Sequence, residues 1–166
     1  MRHTSFADAR CPIARSIDLV GEWWSILILR DAFRGVRRFD AFQASLGIAR
    51  NMLSRRLKRL VEAGLLEARP YSERPPRHEY HLTDKGRDFY PVLMTLMAWG
   101  NRWVQRDQTT VALSRRTSQP LDPLLIDRAT GEAITPQTVR TAVVGLPAGS
   151  VPRHSPASRW CFPPSC

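Results

Sequence analysis

The stretch from Ile48 to Leu66 constrains the fold of this chain more than any other segment. Four apolar residues recur there at helical spacing and predict one buried helix face: Leu53, Leu57, Leu60 and Val61. Seven basic or polar residues surround that face: Arg50, Asn51, Ser54, Arg55, Arg56, Lys58 and Arg59. Such a helix suits the major groove of DNA, where side chains reach base edges and cations neutralise phosphates. The alternative is a solvated basic face on an ordinary packed helix.

Charge and composition narrow the class of protein. The chain has 166 residues, enough for one good core, and a net charge of +10 that indicates a polyanionic partner. Residues 34–87 hold much of that excess. Residues 1–12 are polar, so we expect no signal peptide, and no apolar run is long enough to span a bilayer. The 3 cysteines are scattered, which predicts a reducing, cytoplasmic location without a disulfide framework.

Further helices and a hairpin can be placed by pattern. Helices are predicted from Pro12 to Val20, from Glu22 to Phe33 and from Asp40 to Leu46, the last opened by an Asp40/Gln43 capping box. Gly47 separates this helix from the basic one. A strand at 65–69, a turn at 70–77 and a strand at 79–83 then predict a hairpin. A last helix, capped at Thr83, should be kinked by Pro91.

The amino-acid composition of the chain changes near residue 108. Eight of the 13 prolines follow Gln119, and no acidic residue follows Glu132. We expect one domain at 1–107 and an extension at 108–166, with a small hairpin at 124–135 and disorder from about 145. Cys161, Cys166 and His154 have no recognised metal-ligand spacing, so no metal or cofactor is predicted.

The sequence from about Cys11 to Trp103 resembles the HxlR-type bacterial transcriptional regulators. The matching pieces occur in one order: Cys11-Pro12-Ile13, Gly21-Glu22-Trp23-Trp24, Arg38-Phe39, Leu53-Ser54-Arg55-Arg56-Leu57, Glu62-Ala63-Gly64-Leu65, Pro75 to Tyr80, Leu82 to Gly86 and Trp99-Gly100. The resemblance implies a mainly α winged helix-turn-helix with a small β-hairpin, dimeric through its terminal helices. It further implies a non-enzymatic regulator, more often a repressor, that binds a pseudo-palindromic operator in double-stranded DNA as a homodimer. Ala49 departs from the pattern, since an N-cap Ser or Thr is expected there.

Roles follow for individual residues of this expected regulator. Asn51, Ser54 and Arg55 are predicted to approach base edges, and Lys58 and Arg59 to meet phosphates. Arg56 is open: it faces DNA with Arg50 and the others, or it pairs with an acid such as Glu62. For the wing, DNA contact is predicted at Arg74, Arg77 and His78, and the alternative is an ordinary soluble loop tip. The predicted dimer interface on the last helix comprises Leu93, Leu96, Met97, Trp99 and Trp103.

Cys11 has two interpretations. A thiol at a helix start with arginines nearby favours the reactive thiolate, and in some relatives a matching cysteine senses oxidants. The other interpretation is a structural cysteine at the dimer interface. An oxidant or small molecule is therefore a candidate effector. Two rival classes remain, a non-specific architectural nucleic-acid-binding protein and a thiol enzyme, and the enzyme lacks a local His–Asp partner arrangement.

Overall fold

The computed structural model describes residue 6, residues 8–104 and residues 110–140. Its named elements are six helices and two strands: α1 (Pro12–Val20), α2 (Trp23–Phe33), α3 (Phe39–Leu46), α4 (Arg50–Glu62), β1 (Leu66–Glu73), β2 (Pro76–Leu82), α5 (Asp84–Arg87) and α6 (Tyr90–Trp103). The order is helix-turn-helix followed at once by a hairpin. The predicted fold class, a mainly α winged helix-turn-helix, is confirmed. Within the described residues, no helix is long and apolar enough to cross a membrane.

One apolar core holds α2, α3 and α4 together. Ile28 and Leu29 of α2, Phe42 of α3 and Leu57 of α4 are all fully buried in it. Leu53 and Leu60 complete the stripe of α4, as their helical spacing predicts. Burial of these side chains fixes which face of α4 points outward.

The turn between α3 and α4 depends on a glycine. Gly47 has φ of 62° and accommodates the left-handed conformation that ends α3. Helix α3 begins at Phe39, and its N-cap Arg38 makes no side-chain capping bond. The predicted Asp40/Gln43 capping box is therefore wrong, because Asp40 lies inside the first turn and its carboxylate accepts from the Ala41 amide. Ala49 caps α4 without a side-chain bond, as its methyl group requires.

The hairpin is longer than its sequence indicated. Strands β1 and β2 are antiparallel and paired from Leu66 with Leu82 to Glu73 with Pro76, so the predicted turn at 70–77 is wrong. Pairing continues past Pro70 because the register shifts between Pro70 and Ser72, and such an irregularity accommodates a residue without an amide hydrogen. A bridge between Arg38 and Glu79 joins the segment before α3 to this hairpin, which we call the wing (residues 66–82).

The last predicted helix is two helices. Thr83 caps α5 as expected, since its hydroxyl accepts from the Gly86 amide at 3.1 Å. Helix α5 ends at Arg87, and α6 begins at Tyr90 with Pro91 in its first turn. The predicted kink at Pro91 is wrong because the first turn of a helix tolerates proline, which has no amide hydrogen to donate.

The described residues divide into two compact units, with the boundary between Pro123 and Leu124. The predicted domain division at 107/108 stays a prediction, since residues 105–109 lie outside the described part. In the second unit Ile126 bridges Ala133, and the Asp127 amide donates to the Glu132 carbonyl at 2.9 Å. This is the place of the predicted small hairpin. The disorder predicted from about residue 145 also lies outside the described residues.

The same turn occurs twice, thirteen positions apart, which the sequence reasoning missed. In the first unit Leu113 bridges Pro120, and the Ser114 amide donates to the Gln119 carbonyl at 2.9 Å. The fifth residue of each turn has positive φ, 54° at Ser118 and 72° at Gly131. The segments Ser114-Arg-Arg-Thr-Ser-Gln and Asp127-Arg-Ala-Thr-Gly-Glu thus form one repeated hairpin, each held by side-chain oxygens at its first position.

Candidate nucleic-acid interface

The outer face of α4 presents a set of exposed polar and basic side chains. Because the leucines of α4 are buried on one side of the helix, the opposite side faces solvent. Six of the seven sequence-predicted residues on this helix are exposed: Arg50, Asn51, Ser54, Arg55, Lys58 and Arg59. We call them the outer face of α4. It combines cations with an amide and a hydroxyl, so it can both neutralise phosphates and donate to base edges.

Two residues of the outer face, Asn51 and Arg55, make local hydrogen bonds to Met52. The Asn51 side-chain oxygen accepts from the Met52 amide at 2.7 Å. A bidentate contact with adenine uses both ends of that amide group, so this bond must be exchanged on binding. The Arg55 guanidinium donates to the Met52 sulfur at 3.1 Å, and sulfur is a weak acceptor. Arg55 can therefore turn to a new partner at small cost, whereas Asn51 must first give up its bond to the Met52 amide.

The cations of the outer face have different local partners. Arg50 lies over the Phe39 ring, 5.3 Å from its centroid, which ties the start of α4 to α3. Lys58 is 3.7 Å from Glu62 in an exposed ion pair, a kind that contributes little in water. Arg59 donates to the Asp18 carbonyl of α1 at 3.5 Å. These contacts hold the side chains near the surface and leave them able to meet phosphates.

Arg56 does not belong to the outer face. Its side chain is only 5% exposed and forms an ion pair with Glu22, the residue before α2. Of the two interpretations left open for Arg56, the structure favours pairing with an acid, because a buried guanidinium already bound to a carboxylate has little surface to offer a ligand. The acid is Glu22 and not the suggested example Glu62, which pairs with Lys58.

Two acids of the α2 region, Glu22 and Asp31, fasten the helix-turn-helix, and the sequence reasoning missed this role. Asp31 is buried and accepts from the Ser45 hydroxyl of α3 at 2.7 Å, while Glu22 reaches α4. A signal for Arg56 was present, since it lies three residues after Leu53 and four before Leu60. That spacing places it on the buried stripe, where a cation needs a partner.

The wing presents its predicted residues to solvent. Arg74, Arg77 and His78 are exposed at or near the tip of the hairpin. Behind them Arg38 lies over the Tyr71 ring, 4.6 Å from its centroid, and donates to Glu79 at 3.2 Å. The Arg38 hydrogen bond is the main cause that holds the pKa of Glu79 below its ordinary value of 4.5. These contacts anchor the wing beside the start of α3.

Apolar side chains are exposed on both terminal helices of the first unit. On α1, Ile13 and Ile17 face solvent, and on α6 the exposed set includes Leu96, Trp99 and Trp103. Met97 is half-buried. Leu93 is only 7% exposed within its own chain, so it offers little surface, and its place in the dimer interface stays a prediction. An apolar surface of this kind is typical of a protein–protein interface.

Cys11 is an exposed free thiol at the N-cap of α1. Among the described residues, no three His, Cys, Asp or Glu side chains come together as a metal site.

A groove of about 340 Å³ lies between α2 and the base of the wing, lined in part by Arg37, Arg69, His81 and Arg87. Each of these groups already has a hydrogen-bond partner in the chain, and three of the partners are carboxylates. The charge available for an anionic ligand is therefore small.

The amino-acid sequence of this chain matches a family model of DNA-binding regulators. Residues 19–108 match the model described as HxlR-like helix-turn-helix. The chain is similar to the uncharacterised HTH-type transcriptional regulator Rv3095 of Mycobacterium tuberculosis, with 46% identity over 129 residues, 76% of this chain and 82% of the relative. The aligned length exceeds the number of residues up to position 108, so the similarity includes part of the extension.

Solved structures show the same relationship. The crystal structure of PA1607, a proposed transcription factor, has a TM-score of 0.75 and 39% identity, covering 84% of this chain and 99% of that one. The reduced form of the redox regulator HypR has a TM-score of 0.53 and 29% identity, covering 58% of this chain and 99% of that one. The first similarity extends beyond the helix-turn-helix and the wing, and the second covers a shorter part of the chain.

Proposed function

Because the chain belongs to the HxlR-like helix-turn-helix family of DNA-binding transcriptional regulators, we propose that it is a sequence-specific repressor of a pseudo-palindromic operator. The observation that carries this proposal is the outer face of α4. It is exposed, basic and placed directly after the turn of the helix-turn-helix, the position from which a second helix enters the major groove.

The residues divide into base-reading and backbone-holding groups. Asn51, Ser54 and Arg55 lie in the first turns of α4 and read bases, with Arg suited to guanine and Asn to adenine. Lys58 and Arg59 lie further along the helix and hold phosphates, together with Arg50. The wing residues Arg74, Arg77 and His78 approach the adjacent minor groove, whose narrow A·T-rich form attracts arginine.

Two copies of the chain act together in this proposal. The exposed apolar side chains of α1 and α6 are the surface through which a homodimer forms. A two-fold dimer presents two α4 helices to half-sites one helical turn apart, about 34–36 Å. Occupancy of a promoter-proximal site then blocks the polymerase. A cytoplasmic location and a small-molecule effector stay predictions.

A competition experiment separates this function from non-specific architectural binding. Labelled DNA from upstream of the gene is incubated with the protein and challenged with random-sequence duplex at fixed salt. We expect specific binding to survive a large excess of competitor, since specific sites bind about 10³–10⁷ times more tightly than non-specific DNA. Equal competition by random and upstream DNA would establish the architectural alternative instead.

A second candidate function, thiol-based sensing, is favoured by the exposed Cys11 at the start of α1. The similarity to HypR, a redox regulator, supports the same interpretation. We expect diamide to release DNA from the wild-type protein and not from Cys11→Ser. Release of DNA from Cys11→Ser by the same treatment would remove Cys11 from the mechanism.

A further inference from the structure

The Glu22–Arg56 ion pair connects the DNA-facing helix to the rest of the fold. Arg56 lies on the buried side of α4, between Leu53 and Leu60, and its guanidinium contacts a Glu22 carboxylate oxygen. The Arg56 side chain is 5% exposed and that of Glu22 is 32% exposed. Since arginine is not deprotonated in proteins, a full charge is held inside the domain.

Burying this charge does not favour the folded state by itself. Removing a charged group from water is costly, and apolar residues of similar volume often replace a buried ion pair without loss of stability. In addition, Arg56 Nε is buried with no hydrogen-bond partner among the described residues, which adds a desolvation cost. The pair therefore contributes something that leucine or methionine at these positions would not.

An ion pair restrains the orientation of a helix around its axis. The leucines of α4 make apolar contacts, which are non-directional and tolerate a small rotation of the helix. A guanidinium held by a carboxylate accepts one orientation. Successive residues of a helix are separated by about 100° around its axis, so any rotation of α4 that breaks the pair also moves its neighbour Arg55. The pair thus fixes where the outer face of α4 points.

Glu22 is well placed for this task. It is the N-cap of α2, yet its side chain makes no capping bond to its own helix and reaches across to α4. Its backbone carbonyl accepts from Ser25, a buried residue of the first turn of α2. The carboxylate therefore projects from a rigid element whose Ile28 and Leu29 are fully buried in the core.

We propose that Glu22 and Arg56 are positioning residues that set the sequence discrimination of the outer face of α4 without contacting DNA. This inference rests on the proposed function. The double variant Glu22→Leu/Arg56→Met replaces the pair with apolar side chains. We expect it to fold with close to wild-type stability in urea, yet to discriminate about tenfold less between a selected duplex and its scrambled form, the effect of about one weakened base contact.

The test uses a duplex enriched by the wild-type protein from a random pool. Binding to this duplex and to its scrambled form is measured at several salt concentrations. A phosphate contact would change the salt slope by about one unit per residue, whereas a positioning residue leaves it unchanged. Asp84→Asn, which removes the ion pair of 2.6 Å with Arg87 on α5 and keeps the Arg87 hydrogen bond to the Leu82 carbonyl, is the control and should keep full discrimination.

Two results would overturn the inference: undiminished discrimination by a folded double variant, or a salt slope that falls as for a direct contact. Should the double variant not fold, Arg56→Lys is measured instead, because it keeps the charge and loses the planar fork of the guanidinium. We expect this variant to discriminate less well than the wild-type protein. Unchanged discrimination by a folded Arg56→Lys protein would equally count against the inference. Failure of the wild-type protein to enrich any duplex is a separate outcome, which contradicts the proposed function itself.

Discussion

Arg55 and Lys58 occupy neighbouring turns of the same exposed surface but are assigned different tasks. Among the described residues, Arg55 has the Met52 sulfur as its one hydrogen-bond partner, and Lys58 has an exposed ion pair with Glu62. Both contacts are weak, so losing them costs little compared with the binding energy gained from contacts with DNA. Their positions along α4 separate them, because the first turns of such a helix enter the groove and the later ones lie beside the backbone.

Substitution of these two residues should have different consequences. We expect Arg55→Ala to lose about 1–3 kcal/mol of operator binding and to relax the preference at one base position. Lys58→Ala should weaken binding similarly for all sequences and reduce the salt slope by about one. Titrations against a panel of single-base variants of the duplex measure both effects. An Arg55→Ala protein with intact affinity and preference would disprove its assignment.

Glu79 gives the wing a defined acid response. The Arg38 hydrogen bond lowers the pKa of Glu79, so the folded state holds the carboxylate more strongly than the unfolded chain does. This stabilisation is complete above the ordinary value of 4.5 and is lost as the pH falls through the lowered value. We expect Glu79→Gln to flatten the acid side of the stability curve measured by urea unfolding.

Glu73→Gln at the wing tip is the control for this measurement, since Glu73 is exposed and belongs to no ion pair among the described residues. It should leave the acid side unchanged. An equal effect of both substitutions would mean that overall charge, and not the Arg38–Glu79 pair, causes the acid response.

At the scale of elements, periodic patterns predicted well and single residues predicted poorly. The leucine spacing of α4 and the alternation of β2 placed both elements, because burial of one face imposes those periods on a sequence. The sequence leaves the role of Arg56 open because its partner Glu22 is distant in sequence. The sequence predicts too short a wing because proline favours a turn, whereas the register shift lets strand pairing continue beyond Pro70.

The wing should contribute affinity and little sequence preference. Arg74 and Arg77 are exposed near the tip, and the minor groove that they would enter distinguishes mainly A·T from G·C. We expect Arg74→Ala/Arg77→Ala to bind the selected duplex several-fold more weakly while keeping the preference of α4. Measured affinities for the base-variant panel test this. A double variant that lost the preference at positions read by α4 would contradict the separation of tasks.

In the molecule as a whole, the exposed apolar surface favours binding to a protein, and the positive charge favours binding to DNA. The net charge of +10 suits DNA, whereas Trp99 and Trp103, which are 57% and 67% exposed, suit protein. These tryptophans lie on α6, at the opposite end of the domain's sequence from the exposed Ile13 and Ile17 of α1. A dimer that brings such surfaces together would remove them from water.

Acidic substitution on α6 tests this arrangement. We expect Trp99→Glu/Trp103→Glu to shift the protein to monomers in sedimentation measurements, because two carboxylates would be desolvated in the interface. Affinity for a two-half-site duplex should fall with it. Val139→Glu, at an exposed apolar residue of the second unit, is the matched control. A double variant that remained dimeric would place the interface elsewhere.

Parallel selection from a random duplex pool measures whether paired α4 helices read a two-fold symmetric DNA site. The wild-type protein should enrich a pseudo-palindrome whose half-sites are about one helical turn apart. Arg55→Ala should enrich the same pattern with one position relaxed, at the equivalent place in each half-site. Enrichment of no common sequence, or of an asymmetric site unaffected by Arg55→Ala, would contradict the account.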